Sequence, residues 1–100
     1  MTAATKAAHL HGNKKWPVGT GDRCIVRARV KGKGFGQLGV YTYPGSGMIA
    51  KPFEATEEWM EFVAEVTIPM TSPEIQEICV VFVANADSSI EFSDVTAEIL

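Results

Sequence analysis

Cys24-Ile-Val-Arg-Ala-Arg-Val30 is the stretch that decides the fold class of this sequence. Apolar residues occupy every second position from Cys24 to Val30, and Arg27 and Arg29 stand between them. Successive side chains of a β-strand point to opposite faces, so this two-residue period predicts a half-buried strand. Arg27 and Arg29 are then expected on its outer face.

Three further stretches extend this pattern along the chain. Residues 37–43 alternate in the same way, with Leu38 and Val40 on one face. Residues 78–84 are apolar on both faces and rich in β-branched side chains, which is typical of a central strand covered on both sides. Residues 90–99 form a last strand, and Gly, Pro and Asp turns separate the four. This spacing predicts an all-β, antiparallel β-sandwich.

Residues 54–66 fit two structures. Good helix formers are frequent there, and Trp59, Phe62, Val63 and Val66 have the spacing of one helix face. Alternation from Met60 to Ile68 fits a strand equally well. Periodicity alone leaves both interpretations open.

Residues 21–32, 58–69 and 90–98 together resemble the carbohydrate-binding modules of families four and nine. Trp59 precedes alternating apolar residues that end at Pro69, and Asp94-Val95 supplies the closing pair of that pattern. The resemblance covers roughly residues 18–99 and favours the strand for the ambiguous segment. It implies a jelly-roll sandwich with a galactose-binding-like fold.

Modules of this kind usually accompany secreted bacterial glycoside hydrolases. The resemblance therefore implies a non-catalytic accessory module, secreted as part of a larger protein, with polysaccharide or oligosaccharide and neighbouring domains as partners. The first residues lack the apolar core of a signal peptide. At 100 residues, the chain has the length of one domain, so we expect a single sandwich over residues 1–100, with residues 1–17 as a partly ordered lead-in.

Charge and composition argue against other partners. A net charge of −3 gives no basic excess for nucleic-acid binding, and no apolar run is long enough for a membrane span. Cys24 and Cys79 are too few for a disulfide scaffold, and both sit in apolar runs. We expect two buried free thiols.

No motif supports catalysis or a cofactor. Gly34-Phe-Gly-Gln-Leu-Gly39 has the glycine spacing of a dinucleotide loop, but a strand pattern follows it where such a loop needs a helix. His9 and His11 are suitably spaced for zinc or nickel but lack further ligands nearby. The acidic motif that often holds a structural calcium in the resembling family is not recognisable, although Asp94 remains available as a ligand.

The candidate site is the outer face of the first two strong strands. A sugar ring offers an apolar face of C–H bonds and a rim of hydroxyls, which flat aromatic rings and planar polar groups complement. The expected ligand-binding residues on this face are Arg27, Arg29, Gln37, Tyr41 and Tyr43. Trp16 and Phe53, on flanking loops, are the next candidates, whereas Trp59 is expected to pack.

The alternative is a structural or protein-interaction sandwich without a glycan site. A binding module requires Tyr41 and Tyr43, or Trp16, to be accessible and roughly coplanar. The alternative predicts instead that a loop over residues 44–57 covers the tyrosines.

Overall fold

Seven β-strands in two antiparallel sheets build the domain in the computed structural model, which describes residues 8–44 and 47–100. The strands are β1 (Ala8–Pro17), β2 (Arg23–Lys33), β3 (Phe35–Tyr43), β4 (Gly47–Glu54), β5 (Met60–Thr67), β6 (Glu77–Ala84) and β7 (Ser89–Ile99). One sheet has the order β1-β6-β3-β4 and the other β5-β2-β7. Within the described ranges, no helix is long and apolar enough to cross a membrane.

The predicted alternation of β2 is confirmed. Val26 and Val30 are fully buried, while Arg27 and Arg29 are exposed between them. The ambiguous segment contains a strand, β5, whose inner residues Ala64 and Val66 are buried opposite β2. The resemblance therefore predicted the correct structure, a strand, for a segment whose periodicity fits both a helix and a strand.

The predicted central strand is also confirmed. β6 pairs with β1 on one side and β3 on the other, and its residues are buried on both faces. Ile78, Val80 and Ala84 join the core between the sheets. Both cysteines are free and buried, as expected.

Two elements differ from the prediction. β1 runs from Ala8 to Pro17, so most of the expected lead-in is an edge strand, and residues 1–7 lie outside the described part. Residues 47–54, expected as loop, form β4 at the opposite edge of the same sheet. An edge strand tolerates a proline such as Pro52 and needs little regular alternation. The sequence pattern therefore did not predict β4 as a strand.

Aromatic rings fill one part of the core. Phe53 of β4 lies 5.0 Å from Phe62 and 6.1 Å from Phe92, measured between ring centroids. Phe92 in turn lies 4.9 Å from Phe82 of β6. These four side chains link strands of both sheets, so they hold the two layers together.

Gly39 allows β4 to lie close beside β3. A Cβ atom at this position would collide with the backbone carbonyl oxygen of Ile49 and with Ala50. Any larger residue at position 39 would push β4 away from β3.

Leu38 provides a test of the core. It is fully buried on the inner side of β3, whereas Leu10 of β1 is 56% exposed. We expect Leu38→Ala to lower the free energy of unfolding by about 2–5 kcal/mol, because it removes buried methylenes and leaves a cavity. The matched Leu10→Ala should cost about 0.5 kcal/mol or less. Urea unfolding measures both, and equal losses would contradict this packing.

Candidate functional site

The outer face of the four-stranded sheet has an apolar floor. Cys79, Val81 and Val83 of β6 are at most 1% exposed, yet they do not belong to the core between the sheets. None of the described strands lies over them. Their Cα partners on β3 are Tyr41, Gly39 and Gln37. We call this outer surface of β3 and β6 the groove face.

Two tyrosines stand at one end of the groove face. Tyr41 and Tyr43 are half-buried, their ring centroids are 5.2 Å apart, and their planes meet at 59°. Tyr43 leans across β6, because its hydroxyl lies 3.7 Å from the Cys79 sulfur, within hydrogen-bonding distance. That hydrogen bond, followed by desolvation, raises the pKa of the Tyr43 phenol above its usual value.

Lys15 covers the ring of Tyr43 from the other side of β6. Its Nζ lies 4.2 Å from the ring centroid, in a cation–π contact. Lys15 belongs to β1, in register with Cys79, so three neighbouring strands meet at this tyrosine.

Gln37 supplies a polar group farther along β3. It is half-buried between Val83 of β6 and Pro52 of β4, and its amide makes no hydrogen bond with another described residue. An amide can both donate and accept, so it is available to a hydroxyl-rich ligand. Met48 of β4, 38% exposed, lies beside Tyr41 and widens the apolar surface.

The expectation that the arginines join this face is wrong. Arg27 and Arg29 point outward from β2, but β2 belongs to the three-stranded sheet and β3 to the four-stranded one. The two sets of side chains therefore lie on opposite surfaces of the sandwich. The physical reason is that the chain passes from one sheet to the other between consecutive strands, so β2 and β3 are not neighbours.

The outer face of the three-stranded sheet is a ladder of opposite charges. Arg29 lies 3.6 Å from the carboxylate of Asp94 on β7, and Lys31 lies 3.6 Å from that of Glu91 on the same strand. Arg23 pairs with Glu65 of β5. Arg27, between Val63 and Thr96, forms no ion pair with a described residue. Exposed pairs of this kind contribute about 0–1 kcal/mol each, so the ladder is a solvated surface.

Comparison of the whole fold gives a clear structural neighbour. A solved structure of a family 4 carbohydrate-binding module superposes with a TM-score of 0.65 at 14% sequence identity, over 98% of this chain and 80% of that one. The chain has the fold of a family 4 carbohydrate-binding module. By sequence, no family model matches the chain, and no curated protein does. The expected jelly-roll sandwich is thus confirmed, and the likeness concerns the fold alone.

Trp16 and Phe53, the two further aromatic residues predicted to bind ligand, lie on the inner side of the sandwich. Trp16 pairs with Ile78 and packs partly buried against the core, beneath the ammonium of Lys14. Phe53 is 6% exposed within the core. Both were expected on flanking loops, and both are instead strand residues facing inward, so neither reaches the groove face.

Trp59 was expected to pack, and it does not enter the core. It is 37% exposed on the outer side of the three-stranded sheet, where two cations of β2 contact its ring. The expectation for the tyrosines also needs correction, because they are tilted and not coplanar. Of the segment expected as a covering loop, residues 47–54 lie beside β3 as β4 and not over the tyrosines.

Sequence reasoning missed Cys79 and Lys15 as parts of the site. The signal for Cys79 was present, because a strand that is apolar on both faces must place apolar groups outside the core. Among described residues no cluster of three His, Cys, Asp or Glu side chains can hold a metal, and the His9 and His11 side chains lie outside that description.

The Tyr43–Cys79 contact predicts a specific titration. Cys79→Ala should lower the pKa of Tyr43 toward 10, because the hydrogen bond that favours the neutral phenol is lost. Ultraviolet absorbance of the phenolate measures this. Cys24→Ala, at the other buried thiol, is the control and should leave the pKa of Tyr43 unchanged. A Tyr43 titration that Cys79→Ala does not move would contradict the contact.

The same contact fixes the sign of a pH effect on stability. The folded protein favours the protonated phenol, so this contribution is complete below the unfolded pKa of about 10. It is lost as the pH rises through the higher folded pKa.

Proposed function

We propose that this chain is a non-catalytic carbohydrate-binding module that binds a polysaccharide on its groove face. One observation carries the proposal: a half-buried pair of tyrosines stands on an apolar sheet face that no described element covers. Partly exposed aromatic side chains with polar groups beside them are typical of ligand-binding sites in soluble proteins. The likeness in fold to a carbohydrate-binding module supports the choice of ligand class.

The chemistry of the groove face suits a sugar chain. The rings of Tyr41 and Tyr43 offer flat surfaces to the C–H faces of pyranose rings, while the Gln37 amide is available to hydroxyls. β3 is nine residues long, or roughly 30 Å. The face therefore has room for several sugar units.

The angle between the tyrosines favours a single chain as the ligand. Two rings inclined at 59° cannot both lie flat against one plane, as a crystalline polysaccharide surface would require. Successive units of a twisted, soluble chain do present differently inclined faces. We therefore propose soluble or amorphous glycan chains as the ligand.

The accessory role is the finer part of the proposal. A glycosidase needs two carboxyl groups about 5–10 Å apart across a cleft, whereas the groove floor consists of Cys79, Val81 and Val83. A module of this kind brings a polysaccharide-active enzyme to its substrate. We propose that role here, with neighbouring domains of a secreted protein as partners and no cofactor in binding.

The structural or protein-interaction alternative predicts that a loop over residues 44–57 covers the tyrosines. Because the segment in question is the neighbouring strand β4, the described structure offers no observation that favours this alternative.

Removing both tyrosine rings tests the proposal. Tyr41→Ala combined with Tyr43→Ala should weaken polysaccharide binding at least about tenfold, which corresponds to 1.4 kcal/mol. Retardation in native gels containing β-glucan, xylan or galactomannan measures it. The control, Arg27→Ala on the opposite face, should bind like the wild type. Wild-type retardation that survives in the double variant would place the site elsewhere, and no retardation by any glycan would refute the function.

Lys15 gives a second, graded test. A neutral sugar that stacks on Tyr43 must displace the Lys15 ammonium, and an exposed cation–π contact is worth about 0.5–1 kcal/mol. Lys15→Ala should therefore raise the affinity for neutral glycans about two- to fivefold. Lys14→Ala, which frees Trp16 on the inner side, is the control. A loss of affinity in Lys15→Ala would show that Lys15 contacts the ligand and does not compete with it.

A further inference from the structure

Phe35 is the most exposed aromatic side chain among the described residues. It is 55% exposed, against 37% for Trp59, and it is the first residue of β3. Positions 36, 38, 40 and 42 of this strand are buried. Because side chains of a strand alternate, Phe35 shares the outer face with Tyr41 and Tyr43. It therefore lies on the groove face, at the end away from the tyrosines.

The glycines on both sides of Phe35 allow close packing around it. A Cβ at position 34, where φ is +92°, would collide with the side chain of Ser88. A Cβ at position 36 would collide with the core side chains of Ile90 and Phe53. The chain is thus packed closely on both sides of Phe35, and the phenyl ring between the two glycines faces outward.

Hydrogen bonds fix the backbone of Phe35 itself. Its N–H donates to Ser88 Oγ at 3.0 Å, and its carbonyl oxygen accepts from the N–H of Asn85 at 2.9 Å. Both partners belong to the connection between β6 and β7. A side chain on a backbone held in this way meets a ligand at a low cost in conformational entropy.

The surface between Phe35 and the tyrosines is open to a chain-like ligand. Phe35 lies six residues before Tyr41, which is roughly 20 Å along the strand. The outward positions between them are the half-buried Gln37 and Gly39, which has no side chain. A sugar unit is longer than one strand residue and shorter than two, so several units fit between the two ends.

We propose that Phe35 forms a distal sugar-binding subsite of the groove face, which makes the affinity depend on the length of the glycan chain. The phenyl ring packs against the C–H face of a sugar unit at one end of the bound stretch, and the tyrosines do so at the other. The ring has no polar group, so this subsite responds to the presence of a sugar unit and not to its hydroxyl pattern. The inference rests on the proposed function and specifies its ligand as long soluble chains.

Chain length provides the test. We would titrate the wild type and Phe35→Ala with the trisaccharide and the hexasaccharide of the cello, xylo and manno series, and measure dissociation constants by NMR. Phe35→Ala should weaken hexasaccharide binding about three- to tenfold, because the contact of one ring with one sugar unit is lost. Trisaccharide binding should not change, because a trisaccharide on the tyrosines ends short of Phe35.

Two variants serve as controls. Phe35→Tyr keeps an aromatic ring and should bind the hexasaccharide like the wild type. Trp59→Ala removes a partly exposed ring from the opposite surface of the sandwich. It should bind both oligosaccharides like the wild type.

The Phe35→Trp variant gives a direct readout of the subsite. It adds one indole N–H signal to those of Trp16 and Trp59, and comparison with the wild type identifies the added signal. This signal should shift with the hexasaccharide and stay in place with the trisaccharide.

The outcomes separate this proposal from the proposed function. If the wild type binds a hexasaccharide and Phe35→Ala binds it equally well, the subsite is refuted and the proposed function stands. A trisaccharide affinity that falls as much as the hexasaccharide affinity would also overturn the subsite, because the ring would then act on the tyrosine end. A wild type that a polysaccharide retards but that binds no hexasaccharide would refute the subsite alone. A wild type that binds neither would refute the proposed function as well.

Discussion

Leu38, Val40 and Thr42 are buried between the two sheets, and this packing determines what the outer surface of β3 presents. Because a strand alternates, their burial forces Tyr41 and Tyr43 to stand together on the other side. A shift of β3 by one residue would expose the leucine and bury the tyrosines. The core and the groove face are therefore built from opposite faces of the same strand, β3. Packing of its inner side chains in the core fixes the positions of the tyrosines on its outer face.

Much of the fold followed from the two-residue period, and so did the direction of each side chain along a strand. The period cannot tell which strands are neighbours. Arg27 and Tyr41 were both expected to point outward and both do, yet they lie on opposite surfaces because β2 and β3 belong to different sheets. The prediction that Trp16 binds ligand was wrong for a related reason. The sequence did not show that β1 pairs with β6, so nothing indicated that the Trp16 ring faces inward.

Contacts that join several strands could not be predicted from the sequence. Tyr43 on β3, Cys79 on β6 and Lys15 on β1 meet only through the register of two strand pairs. The outer side chains of such a sheet are also free to change without disturbing the core. A likeness in fold at 14% identity is compatible with different ligands for this reason, and the site must be argued from its own residues.

The charge ladder on the three-stranded sheet affects the electrostatic field that the molecule produces at a distance. β2 carries five Lys and Arg residues, and β5 and β7 together carry five Asp and Glu residues, so the sheet as a whole is neutral. The charged residues of the connections between strands are all acidic: Asp22, Glu57, Glu58, Glu74 and Asp87. They account for the negative net charge of −3, because the remaining residues outside the three-stranded sheet carry a small positive excess. Beyond a Debye length of about 8 Å such a domain projects little field from its broad surfaces. Its encounters with a neutral polymer are then governed by diffusion and shape, and ionic strength should hardly alter their rate.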